Sequence, residues 1–164
     1  MTKVPVLFVI FNRPDIAYKS FLEIKKYQPT NLYIAADGPR KEKFDEVNLC
    51  NETRLKIINS IDWDCNIHQL FRDINIGVDK NVYEAINWMF ETEKWGVIIE
   101  DDCIISQDFF YLCESAFPKY EHEEVVAHIC ANNTKPLTQK SSKIEFVNFP
   151  TSWGWGTWRE KWYN

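Results

Sequence analysis

Trp95-Gly96-Val97-Ile98-Ile99-Glu100-Asp101-Asp102-Cys103 is an apolar run that ends in three consecutive carboxylates. A short β-branched segment bounded by polar residues reads as a buried strand, which puts the acids at or just past its C-terminal end. In open α/β sheets that edge is where ligands bind. Three adjacent acids repel one another and resist burial, so the arrangement asks for positive charge among them. A divalent metal is the obvious candidate. The competing reading is a solvated acidic turn, because charged residues are mostly exposed. The apolar strand before the triplet and the loops described next favour the metal.

Outward from this stretch the chain alternates strand and helix signals. Residues 4–11 read as a first strand, and Asn12-Arg13-Pro14-Asp15 as a loop feeding a helix that ends near Tyr27, with Pro14 and Asp15 suited to its first turn. Residues 31–36 form a second strand closed by the turn Asp37-Gly38-Pro39-Arg40. A charged segment at 41–46 opens a second helix, with Val47, Leu55, Ile57, Ile58 and Ile61 as its expected inner face. Residues 65–71 are a third strand, and Val82, Ala85, Ile86, Met89 and Phe90 mark an amphipathic helix running to about Glu93. Past the acidic triplet, Ser106 is the expected N-cap of a helix through Phe117, with Pro118 ending it or lying in its last turn. Residues 125–130 read as a fifth strand, 132–136 as a polar loop and 144–149 as a sixth strand. Pro150-Thr151-Ser152-Trp153-Gly154-Trp155-Gly156-Thr157-Trp158 and a charged aromatic tail follow. The pattern predicts an α/β fold: one domain over residues 1–164, with a mostly parallel central sheet and helices on both faces. A new helix opens as the sequence ends, so the expectation is a C-terminally truncated part of a longer protein.

Composition narrows the function. With 164 residues and 45% hydrophobic content the chain can bury a substantial core. A net charge of −5 gives no support to nucleic-acid binding. The apolar start is broken by Pro5 and lacks the length and small-residue cleavage site of a signal peptide. No run approaches the roughly 18 apolar residues of a membrane span. Five cysteines, odd in number and without a CxxC pair, indicate neither a disulfide framework nor a thiolate zinc site, and fit a reducing cytoplasm.

Three strand ends carry polar loops: Arg13 after the first, Asp37 after the second, and Glu100-Asp101-Asp102 after the fourth. In a parallel sheet these converge on one edge. A cation, a single acid and a metal-type cluster together suit a nucleoside diphosphate, because metal and Arg neutralise phosphates while a carboxylate accepts base N–H or ribose hydroxyl groups. Mn²⁺ or Mg²⁺ needs only one or two carboxylates beside substrate phosphates. Each part also has a plain structural reading: a carbonyl cap for Arg13, an Asx-turn for Asp37. No GxxxxGK[ST] or GxGxxG loop is present, which argues against a P-loop ATPase or a Rossmann dehydrogenase. His68, His122 and His128 lack metal spacing, and no Ser nucleophile elbow occurs.

The order of an Asn-Arg-Pro loop, an Ala-Asp-Gly loop, Ile98-Ile99-Glu100-Asp101-Asp102-Cys103, the Asp108-Phe109-Phe110 helix and Trp153-Gly154-Trp155-Gly156-Thr157-Trp158 resembles the GT-A nucleotide-sugar glycosyltransferases. The likeness is to bacterial glycosyltransferase-like proteins and, more distantly, to N-acetylglucosaminyltransferase I. It covers nearly the whole chain, and Glu-Asp-Asp followed by Asp108-Phe109-Phe110 is its most specific part.

The resemblance implies a metal-dependent transfer of sugar from a nucleotide-diphosphate donor, a UDP-sugar, to a glycan or other hydroxyl acceptor, with inversion at the anomeric carbon. Residue by residue it implies Asp102 as metal ligand, Asp101 near the ribose and Glu100 at the sugar or a metal-bound water. It also implies Arg13 on the diphosphate and Asp37 on the uracil or other base. Trp153, Gly154 and Trp155 match a loop near the donor sugar and acceptor, where aromatic faces can stack on sugar C–H surfaces; core packing is the alternative. The family's candidate catalytic base lies beyond the Trp-rich segment, where this sequence offers only Glu160. Two other functions stand beside transfer: a non-catalytic or truncated nucleotide-sugar or glycan-binding domain, and a sugar nucleotidyltransferase, against which the missing N-terminal Gly-rich loop counts.

Overall fold

A computed structural model of the chain describes residues 3–132 and 144–164. The expected loop at 133–136 lies outside the described residues. The apolar run Val6–Ile10 forms β1, buried along its whole length at the middle of the sheet. Side chains alternate between the two faces of such a strand, and both faces are covered. Val6, Phe8 and Ile10 join one core cluster with Phe21, Ile24, Phe110 and Phe117, whereas Leu7 and Val9 join a second with Ala85, Ile86, Met89 and Phe90. Helices α1 (Pro14–Tyr27) and α4 (Gln107–Tyr120) supply the first cluster, and α3 (Val78–Phe90) the second.

Strands β2 (Asn31–Ala36), β3 (Asn66–Phe71) and β4 (Trp95–Glu100) run parallel to β1. The sheet order is β3-β2-β1-β4-β6-β5, where β5 is His128–Cys130 and β6 is Trp155–Trp158. The α/β class holds, but the sheet is mixed, because β6 pairs antiparallel with both β4 and β5. The expected sixth strand at 144–149 is not one: its apolar side chains Ile144, Phe146, Val147 and Phe149 stay exposed. The tryptophan segment takes the place beside β4 instead. Trp158 is buried against Phe117, and its indole N–H donates to the Phe117 carbonyl at 2.8 Å. The fifth strand is shorter than the expected 125–130. Helix α5 (Arg159–Tyr163) follows β6.

Helix α2 (Phe44–Ile58) corrects a second expectation. Of the predicted inner face only Ile57 is buried; Val47 and Leu55 are exposed, and Glu46, Cys50 and Thr53 face inward. Glu46 and Thr53 turn inward here because each finds a partner, while the Cys50 thiol is buried as a small apolar group. Thr53 Oγ1 donates to the Leu49 carbonyl at 2.7 Å, and Glu46 accepts from the Arg40 backbone N–H at 3.1 Å and from its Nε at 2.9 Å. The Arg40 hydrogen bonds outweigh burial and hold the Glu46 carboxyl down at about 2, from an ordinary 4.5. A depressed carboxyl stabilises the fold fully above its unfolded value and ceases to do so as it protonates. Unfolding free energy is therefore expected to fall between pH 4.5 and about 2, and Glu46→Gln to flatten that part of the profile in acid denaturation. An unchanged profile would show that the pair is without effect.

Candidate functional site

Parallel pairing of β1, β2 and β4 brings their C-terminal ends to one edge, and the sequence puts Arg13, Asp37 and Glu100–Asp102 there. Pro14 pushes the residue before it out of helical geometry. Arg13 accordingly sits at φ −121° as the residue preceding α1, with its carbonyl accepting from Ala17 N–H at 2.9 Å. Its side chain is thereby free to cross to the end of β4. Nε and Nη2 donate to the two oxygens of Asp101, the former at 3.3 Å, and Nη1 lies 3.3 Å from Asp102 Oδ2. Arg13 is the cation that the three acids required.

The acids divide by environment. Asp101 is buried, its side chain 5% exposed, and Ser20 Oγ of α1 donates to its carbonyl at 2.8 Å. Burial pushes the Asp101 carboxyl up more than the Arg13 bonds pull it down, whereas the same bonds raise the Arg13 guanidinium. Glu100, half-buried, is also pushed up, first by burial and then by the charges of Asp102 and Asp101. Asp102 is 52% exposed. Its second oxygen accepts from the Cys103 thiol at 3.7 Å, and that thiol, pushed up to about 11 chiefly by burial, is a donor rather than a nucleophile.

Asp37 is placed at the same edge but turned inward. Its Oδ1 accepts from Gly38 N–H at 2.8 Å and Ile76 N–H at 3.0 Å; its Oδ2 accepts from the Asn75 amide at 2.9 Å and Gly77 N–H at 3.2 Å. The carboxylate ties the loop after β3 to the end of β2, and contact with a base would need these loops to open. A Cβ on Gly38 would lie 2.4 Å from the Ile74 backbone, so only glycine allows the two loops to come this close.

The tryptophan segment divides as well. Trp153, 65% exposed, borders a cavity of about 560 Å³ that Asp102, Ile105, Ser106 and Asn132 also line. Gly154 makes this possible: its φ of 74° is left-handed, its carbonyl accepts from Ala131 N–H at 2.9 Å, and a Cβ there would strike Ile105 at 2.2 Å. Trp155 instead packs toward the α3 side with His128 and Trp162, at ring separations of 5.7 and 6.0 Å. The structure thus joins Arg13, Glu100, Asp101, Asp102, Trp153 and Gly154 around one strand end, and directs Asp37 and Trp155 into protein contacts. Ser20, Asn75 and Arg54 were missed. A serine in the apolar stripe Ala17, Phe21, Ile24 of α1 was the available signal for Ser20. Arg54, whose Nη2 donates to the Asp37 and Arg72 carbonyls at 3.0 and 2.6 Å, left none.

Among the described residues no three His, Cys, Asp or Glu side chains converge as a metal cage. The donor set suits a hard ion that takes one exposed carboxylate and completes its shell with phosphate and water, as Mg²⁺ and Mn²⁺ do. A guanidinium already rests against that carboxylate, with Arg13 Nη1 at 3.3 Å from Asp102 Oδ2. Neither a protein-family model nor a curated protein matches the chain.

Proposed function

We propose that the chain binds a nucleoside-diphosphate sugar, most simply a UDP-sugar, together with Mn²⁺ or Mg²⁺, as the donor-binding part of a GT-A glycosyltransferase. The observation that carries this reading is Arg13 held between buried Asp101 and exposed Asp102 at the parallel sheet edge, beside a cavity bordered by Trp153. Asp102 would hold the ion and Arg13 would contact the diphosphate. When bound, the ion supplies charge neutralisation for the departing diphosphate. Trp153 offers an aromatic face for a sugar. The Asp102 cavity shares Ser106, Ala131 and Asn132 with a larger cavity of about 620 Å³ under α4, which offers room for an acceptor.

A binding-only reading has one observation in its favour. Among the described residues lining the Asp102 cavity, Asp102 is the only acid, so a base for an acceptor hydroxyl would have to come from the larger cavity, which Asp108 and Glu145 line. Calorimetric titration with UDP is expected to show binding that requires Mn²⁺ or Mg²⁺ and weakens at least about tenfold in Asp102→Ala, the loss of one charge-assisted ligand contact. Metal-independent binding untouched by that change would overturn the assignment. Sugar-transfer and donor-hydrolysis assays separate the readings: donor binding without turnover favours the binding domain.

A further inference from the structure

Asp102 is not an open carboxylate awaiting an ion. One oxygen faces Arg13 Nη1 at 3.3 Å and the other takes the Cys103 thiol. Arg13 cannot drift away, because Nε and Nη2 are held by both oxygens of Asp101, and Asp101 is itself pinned through its carbonyl by Ser20. A guanidinium is a planar fork whose edges can serve two anions at once. Here one edge is committed to buried Asp101, and the other meets whatever anion lies at the mouth of the site.

We infer that Arg13 is a tethered placeholder that competes with the divalent ion for Asp102, so that the site rejects the bare ion and accepts it only as a complex with a diphosphate. This rests on the donor-binding reading above and specifies how that site is loaded. A bare ion approaching Asp102 meets a fixed positive charge a few ångströms away and must displace its contact. A diphosphate reverses the balance. Its oxygens give Nη1 a new acceptor and complete the shell of the ion, so the charge that repelled the ion now holds the complex. Linkage requires the converse: the nucleotide gains affinity from the ion by the factor it confers.

The experiment measures free Mn²⁺ by electron paramagnetic resonance during titration of the protein, without and with UDP. It uses wild type, Arg13→Gln, Arg13→Lys, and the double variant Arg13→Gln/Asp101→Asn, which leaves no unpaired buried charge and guards against a failure of Arg13→Gln to fold. Removing the positive charge is expected to tighten bare Mn²⁺ binding at least about fivefold and to weaken Mn²⁺–UDP binding at least about tenfold, opposite shifts that loss of structure cannot produce. Arg13→Lys, which keeps the charge, is expected to go on excluding the bare ion. Bare-ion affinity that is unchanged or weaker in both neutral variants overturns the competition while leaving the donor site standing. Absence of Mn²⁺–UDP binding to wild type overturns both.

Discussion

Replacing Asp37 by Asn is expected to cost about 3 kcal/mol of unfolding free energy, nearly as much as Asp37→Ala, although Asn is the closest isostere. The reason lies in the donor count. All four partners of the carboxylate are N–H groups: three from the backbone of Gly38, Ile76 and Gly77 and one from Asn75. An asparagine oxygen can serve one pair, but its NH₂ would then face the other, donor against donor, in a position where the residue is only 5% exposed. The neighbouring loops cannot draw back to admit water without breaking the close approach of Gly38 to Ile74. Denaturant unfolding of the three proteins checks this. A loss below about 1 kcal/mol in Asp37→Asn would show the donors satisfied by other means.

Arg13→Ala is the second large effect, also about 3 kcal/mol at neutral pH, because it leaves the Asp101 carboxylate buried with its strongest partner gone. The figure is set at the low end for a broken ion pair, since Arg13 is itself 44% exposed. The sign of its pH dependence follows from Asp101. Burial already raises this carboxyl, and without Arg13 it rises further, so the folded variant binds a proton that the unfolded chain has released. The loss should therefore be greatest above the carboxylate range and shrink as the pH falls and Asp101 protonates. Unfolding at pH 7 and pH 4 tests the direction, and Arg13→Ala/Asp101→Asn should recover most of the stability at pH 7. No recovery would mean that Arg13 acts through packing of its alkyl stem.

The parts of the fold legible in the sequence are those where pattern and burial coincide. Residues 31–36 are a short, mostly apolar run closed by a turn, and β2 occupies that span. The run at 95–100 is apolar until the first acid, and β4 ends there. Parallel topology then brings Arg13 to the acids without any pairwise contact having to be guessed. What could not be read depends on partners distant in sequence. The residues at 144–149 are as apolar as a strand needs, yet which segment docks beside β4 is decided by packing such as Trp158 against Phe117. The buried face of α2 is set by the Arg40 pair with Glu46, which no hydrophobic period reports. The site has the same limit. Asp101 and Asp102 are chemically identical neighbours, and only the fold shows that one is locked under Arg13 while the other meets solvent. Trp153 and Trp155 differ in the same way.

Because β6 runs against β4, its entrance rather than its exit lies beside the end of β4. Had it run the other way, Trp153 would stand at the far margin of the sheet, about a strand length from Asp102. The reversal lets a single small molecule touch both the central parallel strands and the antiparallel margin. Such a molecule would act as a non-covalent staple, making the cohesion of the sheet's outer strands depend on occupancy at its middle.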